Sequence, residues 1–278
     1  MTFEAWSRIE HMKVLLVGAS GWLGRSTGPL LLRKGVIGAH DLHCMTRSGD
    51  PGPTYNEWPA VRRFSNFTEA IADCDVVILS IRPDAFRGGE FRCEDRLVIS
   101  FMAGVGLDEL ALHCGSQRIA RAMPNAAVEI GCSYTPWIAS STTPAADEDR
   151  VRLLLSALGT EDQLFDESHI DTLTAISGSG HAYPALLAKA LADVAVLRGL
   201  PEHVALRAAM GVVRDAAQLL GGEHNLPGEV VQQFLDYNGT TAAALRAANQ
   251  AGFEGAIQKA VDAGASSARE SSGRSRKD

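Results

Sequence analysis

The chain has 278 residues, more than a typical single domain, so one large domain or two of ordinary size is expected. Hydrophobic residues make up 46% and charged residues 21%, ordinary globular figures that exclude a disordered or fibrous chain. Lysine and arginine number 26 against 33 acidic residues, a net charge of −7, which argues against a nucleic-acid binder working through a basic face.

Residues 1–11 carry Glu4 and Glu10 and no apolar block, so they read as a short extension and not as a secretory leader. Lys13–Val17, Leu42–Met45, Val76–Leu79 and Leu97–Phe101 are short, continuously apolar runs, the pattern of strands buried on both faces of a parallel sheet. Gln117–Ala122 and Cys132–Ala139 extend that sheet. Helical patterns fall between, at Gly21–Lys34, Thr68–Ala72 and Leu107–His113. The alternation predicts a doubly wound α/β domain over residues 12–165. From Ser168 onward the spacing turns helical, at Tyr183–Arg198, Pro201–Leu220, Gly228–Phe234, Thr240–Gln250 and Phe253–Ala265, with Gly or Pro between them. A helical second domain is expected over 166–265, with alanine on more than one helix face, which suits packing on a partner chain. Residues 266–278 are Ser- and Arg-rich without apolar periodicity and read as a disordered tail. No apolar run approaches the ~18 residues of a membrane span, since even 182–196 is interrupted by Lys189 and Asp193. The cysteines, Cys44, Cys74, Cys93, Cys114 and Cys132, show no CxxC spacing, so they read as small hydrophobes in a reducing cytosol, with no disulfide framework and no metal site expected.

Gly18-Ala19-Ser20-Gly21-Trp22-Leu23-Gly24 follows the first strand directly and opens the first helix. Glycines there permit a tight turn and close backbone approach, and a helix N-terminus presents N–H groups to a pyrophosphate. The spacing, GxxGxxG, is one residue longer than GxGxxG, and the competing reading is a plain βα turn. An NAD site wants a carboxylate near the end of the second strand, roughly 20 residues on, to bond the ribose. The sequence there is Met45-Thr46-Arg47-Ser48. A guanidinium between two hydroxyls suits a ribose 2′-phosphate, so NADPH is expected over NADH; otherwise Arg47 is a solvated surface arginine. Ala103-Gly104 and Met123-Pro124-Asn125 end successive strands at the sheet edge where such folds place ligands. Ser177-Gly178-Ser179-Gly180, ahead of a helix beginning near His181, offers capping hydroxyls and a helix dipole to a carboxylate, or serves as an ordinary N-cap. Gly239-Thr240-Thr241 has the same two readings.

Five blocks taken in order make a more specific pattern: Ser80-Ile81-Arg82-Pro83, Leu97 through Val105, Arg121 through Asn125, Leu173 through Tyr183, and Asn238-Gly239-Thr240-Thr241. Together they resemble the pyrroline-5-carboxylate reductase family from Lys13 to about Arg269. The resemblance implies an N-terminal Rossmann domain, a C-terminal helical domain that forms a homodimer by interleaving helices, and NAD(P)H-dependent reduction of a cyclic imine to an amino acid such as proline; the cysteine pattern above places the chain in the cytoplasm. The implied cofactor residues are Gly18, Ser20, Gly21, Trp22, Leu23, Gly24, Thr46, Arg47, Ser48, Ser80, Arg82, Pro83, Ala103, Gly104 and Asn125. The implied substrate residues are Met123, Pro124, Ser177, Gly178, Ser179, Gly180, Asp236, Gly239 and Thr240. Thr241 and His181 are the catalytic candidates, His181 because a pKa of ~6.5 suits a proton donor to the imine nitrogen. An obligatory acid need not exist, since hydride transfer to a protonated imine requires mainly alignment and exclusion of water.

The sequence departs from the family at defined places. His181 stands where the family has proline in SGSGPAY, Asn125 is followed by Ala126-Ala127, and Leu235-Asp236-Tyr237-Asn238 replaces TSPG. Asp236 would repel a substrate carboxylate unless it points away or pairs with a cation. The departures leave two alternatives to proline synthesis: reduction of a different cyclic imine acid, or a dimeric NADPH-binding protein without turnover.

Overall fold

The computed structural model describes residues 12–220 and 226–271. The sequence readings for 1–11 and for 272–278 lie outside the described residues. The chain divides into two compact units, one of residues up to 180 together with those from 262 onward, the other of residues 181–261.

The first unit is built on an eight-stranded sheet in the order β3-β2-β1-β4-β5-β6-β7-β8. Strands β1 (Val14–Val17), β2 (Leu42–Met45), β4 (Val76–Leu79), β5 (Leu97–Ser100) and β6 (Ile119–Ala122) run parallel and coincide with the apolar runs of the sequence. Their burial is nearly continuous, because hydrophobic clusters cover both faces: Leu16, Ile78 and Ile99 point to one, Leu15, Val77 and Val98 to the other. β7 (Ser133–Ala139) is antiparallel to β6 and parallel to β8 (Gly159–Gln163). β3 (Arg62–Phe64) closes the opposite edge beside β2. The edge strands β3 and β8 read RRF and GTEDQ, so neither shows the apolar run that marks the central strands.

The helices are α1 (Gly24–Arg33), α2 (Phe67–Ile71), α3 (Pro83–Arg87), α4 (Leu107–Cys114), α5 (Ala145–Ser156) and α6 (Ser168–Leu173). α1 starts at Gly24 and not at Gly21, since residues 18–23 are spent on the turns of the glycine loop. In the second unit lie α7 (Ala182–Leu197), α8 (Glu202–Met210), α9 (Pro227–Tyr237), α10 (Thr240–Gln250) and the beginning of α11 (Phe253–Ser271). α8 is followed by a π turn at Gly211–Asp215 and a 3-10 turn at Ala216–Leu219, so the expected helix over Pro201–Leu220 is there but irregular at its end.

Two readings of the C-terminal half need correction. The compact units part between Gly180 and His181, later than the Asp166 at which helical spacing begins, because α6 and the π turn after it pack with the first unit. Residues 266–271, expected in a disordered tail, continue α11. Ala265 and Ala268 are buried, and a Cβ on Gly264 would come within 2.9 Å of the Ala175 Cβ. Small residues allow that close approach, and a scan for large apolar side chains passes over them.

Candidate cofactor groove and substrate segments

The loop between β1 and α1 is held by backbone geometry. Gly18 takes φ +85°, and a Cβ there would lie 2.2 Å from the Ser80 carbonyl oxygen. A Cβ on Gly24 would meet the Gly18 carbonyl oxygen at 2.2 Å. Only glycine fits either place. The Gly18 N–H donates to Met45 O at 2.9 Å, pinning the loop to the end of β2. Tyr55, fully buried, donates its hydroxyl to Gly24 O at 2.7 Å and braces the start of α1 from the β2–β3 connection.

A groove of about 630 Å³ opens over this loop. Of the expected cofactor residues, Gly18, Ser20, Gly21, Trp22, Leu23, Thr46, Arg47, Ser80 and Arg82 line it. Arg47 is exposed, while Thr46 is buried and donates its hydroxyl to Asp50 O at 3.2 Å. Gly24 stands just behind the loop, Ser48 turns toward Asp50 (Oγ to Asp50 O, 3.4 Å), and Pro83 opens α3. Ala103, Gly104 and Asn125 lie outside the lining. Gly104, with φ +70°, is held from α3 by Arg87, whose Nη2 donates to Gly104 O at 2.9 Å. The sequence reading missed Val17, Met45, Ile81, Ala85, Phe91 and Phe101 in the lining. Val17, Met45 and Phe101 had no signal beyond their place at strand ends, while Ile81, Ala85 and Phe91 belong to the stretch that follows β4, where no apolar pattern points to a ligand. The arrangement fits a dinucleotide: a backbone cradle that a Cβ would fill, an apolar trough, and a guanidinium with hydroxyl neighbours at the end of β2.

At the same sheet edge, Met123, Pro124 and Asn125 follow β6. The Met123 N–H donates to Pro136 O at 2.9 Å, and Asn125 Oδ1 accepts from the Ala127 N–H at 2.9 Å. The Ser177–Gly180 segment lies against them: a Cβ on Gly178 would be 3.3 Å from Met123 Cγ, and one on Gly180 3.8 Å from Asn125 Cβ. The capping expectation for these serines is corrected. Thr174–Gly178 is a π turn continuing α6, where Ser177 Oγ donates to Leu173 O (2.9 Å) and Ser179 Oγ to Ala175 O (2.8 Å). The hydroxyls therefore bond back to the preceding turn, as serines inside helices do, and α7 begins at His181 without a side-chain cap. Arg121, buried in β6, donates to the Glu167 carboxylate at the start of α6, and the same oxygen accepts the Leu107 N–H at 2.9 Å. Three elements bordering the site edge are thereby tied to one carboxylate.

In the second unit, His181 is exposed at the start of α7. Gly239 is the N-cap of α10 and, lacking a side chain, gives it no side-chain cap; Thr240 and Thr241 are the first two residues of that helix. Asp236 belongs to the last turn of α9, not to a loop, and its Oδ1 accepts from Gln232 Nε2 at 2.8 Å. Asn238 takes φ +55°, and its Oδ1 accepts from Arg246 Nη1 at 2.8 Å. The connection between α9 and α10 is therefore only Asn238 and Gly239, cross-braced by Arg246.

All five cysteines are free; Cys44, Cys74, Cys93 and Cys114 are buried and Cys132 is exposed. Among the described residues, His43, Asp73 and Cys74 form a group with metal-ligating atoms close together. Each is already engaged: Cys74 Sγ donates to Ala70 O at 3.2 Å, His43 Nδ1 lies 2.9 Å from the same oxygen, and Asp73 accepts from Lys13 Nζ at 2.7 Å. No helix among the described residues is long and apolar enough to cross a membrane.

A glycine-cradled groove on a doubly wound sheet, followed by a unit of packed helices, defines a dinucleotide-binding oxidoreductase of the Rossmann class. Comparison with known proteins is more specific. Residues 167–271 match the family model described as pyrroline-5-carboxylate reductase dimerisation. The pyrroline-5-carboxylate reductase of Pseudomonas aeruginosa is 33% identical over 204 residues, 70% of this chain and 74% of that protein. The one from Arabidopsis thaliana is 30% identical over 268 residues, 94% and 96%. The structure of a pyrroline-5-carboxylate reductase from Coxiella burnetii superposes with a TM-score of 0.85 at 23% identity, covering 95% of this chain and 99% of that one. A Plasmodium falciparum pyrroline carboxylate reductase with NADP bound gives 0.80 at 20% identity, with coverage of 95% and 99%. The chain belongs to the pyrroline-5-carboxylate reductase family.

Proposed function

We propose that this chain reduces 1-pyrroline-5-carboxylate to L-proline with NADPH, acting as a homodimer. The observation that carries the reading is the groove itself, a loop only glycine can build, ending at Arg47 and lying on the sheet edge that Met123–Asn125 and Ser177–Gly180 share. The bound dinucleotide supplies a hydride to the C=N carbon. The chain's part is positional. Loop N–H groups and the α1 N-terminus hold the pyrophosphate, Arg47 with Thr46 and Ser48 holds the 2′-phosphate, and Ala103–Gly104 leaves room for the nicotinamide. Ser177–Gly180 receives the substrate carboxylate, its N–H groups and hydroxyls exchanging intrachain partners for the anion. Thr241, from the motif the chain shares with the family, is assigned to orient the imine, and His181, which stands where the family has proline, is assigned on its own chemistry to donate the proton the nitrogen needs. Exclusion of water and alignment then suffice for hydride transfer. Four buried free thiols support a reducing, cytoplasmic setting.

The Asp236-Tyr237-Asn238 stretch, which stands where the family has SPG and ends in the corner braced by Arg246, favours a second reading in which the acceptor is a different cyclic imine acid. The test is NADPH oxidation by purified protein with pyrroline-5-carboxylate, piperideine carboxylate and thiazoline carboxylate side by side. Turnover of the first is the expected result. Turnover of another imine alone selects the second reading, and NADPH binding without oxidation of any overturns both.

A further inference from the structure

From the geometry we infer that Glu129 is a positioning residue for the dinucleotide, acting through Trp22. The inference deepens the proposed NADPH reading and rests on it. Trp22 sits in the middle of the glycine loop, lines the groove, and is 55% exposed. Its Nε1–H donates to Glu129 Oε1 at 2.7 Å, across 107 residues of sequence. Arg25, in the first turn of α1, donates from Nη2 to the same oxygen at 2.8 Å. Glu129 belongs to the 3-10 turn Ala126–Ile130, which starts from Asn125 at the end of β6. That turn is itself fixed: the Gly131 N–H donates to Val128 O at 3.0 Å, and a Cβ on Gly131 would rest 3.4 Å from Leu30 of α1.

The chemistry explains why these residue types meet here. A large apolar ring on a loop stays in one orientation only if its polar edge is anchored, and the indole N–H is a donor without an acceptor face. A carboxylate is the strongest anchor available to it. An uncompensated carboxylate beside a pyrophosphate cradle would repel the cofactor. Arg25 supplies the compensation, a cation at a helix N-terminus where the dipole would otherwise disfavour it. The three side chains together make Trp22 a fixed wall of the groove, tethered to the turn that leads out of the Met123–Asn125 edge. Glu129 touches neither substrate nor cofactor in this scheme; it acts by holding the residue that does.

The test is equilibrium NADPH binding, read from nucleotide fluorescence, with Glu129→Ala, Glu129→Gln, Trp22→Phe and the Glu129→Ala/Trp22→Phe double variant. Glu129 and Trp22 are both exposed, and matched melting curves check that the variants fold. Glu129→Ala is expected to weaken NADPH binding about tenfold, the scale of a charge-assisted hydrogen bond, raising the NADPH KM with kcat little changed. Glu129→Gln retains an acceptor oxygen and stays within about twofold of the parent. Trp22→Phe loses the donor and repeats the Glu129→Ala loss, and the double variant is no worse than either single one. Binding by Glu129→Ala within twofold of the parent overturns the inference, as does a double variant whose losses add. If the unaltered chain itself fails to bind NADPH, the cofactor reading falls and takes the inference with it; normal binding by the parent with no effect of Glu129→Ala removes the inference alone.

Discussion

Arg47 sits at the end of β2, exposed on the groove, with Thr46 and Ser48 on either side. A guanidinium forks onto phosphate oxygens but gains little from a ribose hydroxyl, so its contribution should be confined to the phosphorylated cofactor. Arg47→Ala is expected to raise the KM for NADPH about tenfold or more, as loss of a charged hydrogen bond does, and to leave the NADH KM nearly unchanged. Equal effects on the two cofactors would remove Arg47 from the 2′-phosphate site. The buried thiols make a separate prediction. Burial pushes Cys44 and Cys74 up from 9.0 to about 12. An acid whose folded pKa is raised adds stability that is intact below the unfolded value and is lost as pH climbs toward the folded one. The melting temperature should therefore fall between pH 9 and 12, and less steeply in a Cys44→Ala/Cys74→Ala variant. The same alkaline slope in both proteins would refute the assignment.

At the scale of elements, α5 is anchored to the start of β6 by a buried carboxylate. Asp147 is 2% exposed, and its oxygens accept from Arg118 Nε at 2.5 Å, Arg118 Nη2 at 2.8 Å and Arg150 Nη1 at 3.0 Å. Removing one side of such a pair leaves buried charge uncompensated. Asp147→Asn should lower stability by about 2 kcal/mol, less than for a fully buried pair because Arg118 is partly exposed. Chemical denaturation measures it, and a loss under half that size would show that the pair is solvent-screened. Elements whose stability comes from visible apolar runs were legible in the sequence: the five central strands, the loop of glycines and most of the helices. Elements held by charge or by small residues were not. α5 reads AADEDRVRLLLS, with acidic residues in its first turn and one of them, Asp147, turned into the protein. β3 and β8 are polar edges, and the end of α11 packs through alanine and glycine. For the site, backbone-driven features such as Gly18, Gly24 and the Met45–Ser48 strand end were readable. The Ser177 and Ser179 hydroxyls turn back four residues because the preceding helix runs on as a π turn, which the glycines of the SGSG stretch disguise, and the Glu129 anchor depends on a contact made 107 residues along the chain, which no local pattern encodes.

For the whole molecule, the second unit presents an imbalance that only association corrects. Its buried hydrophobic residues, among those described, are alanines: Ala188, Ala205, Ala209 and Ala242. Its leucines lie outside, with Leu197 84% exposed, Leu219 71%, Leu186 65% and Leu206 55%. Side chains of that size are worth about 2 kcal/mol each when buried, and so many exposed on one unit point to an interface. Dimerisation through these helices, the reading proposed above, would supply the missing core, so oligomer and folded helices should be lost together. Leu186→Glu and Leu206→Glu place a charge where the partner chain would exclude water, at a desolvation penalty. Sedimentation analysis should find the parent as a dimer or a multiple of it and the double variant as a monomer. The helical circular dichroism signal of that variant should melt earlier than the parent's. A double variant that keeps the parent's mass and melting curve would place the interface on another surface and leave these leucines exposed for some other reason.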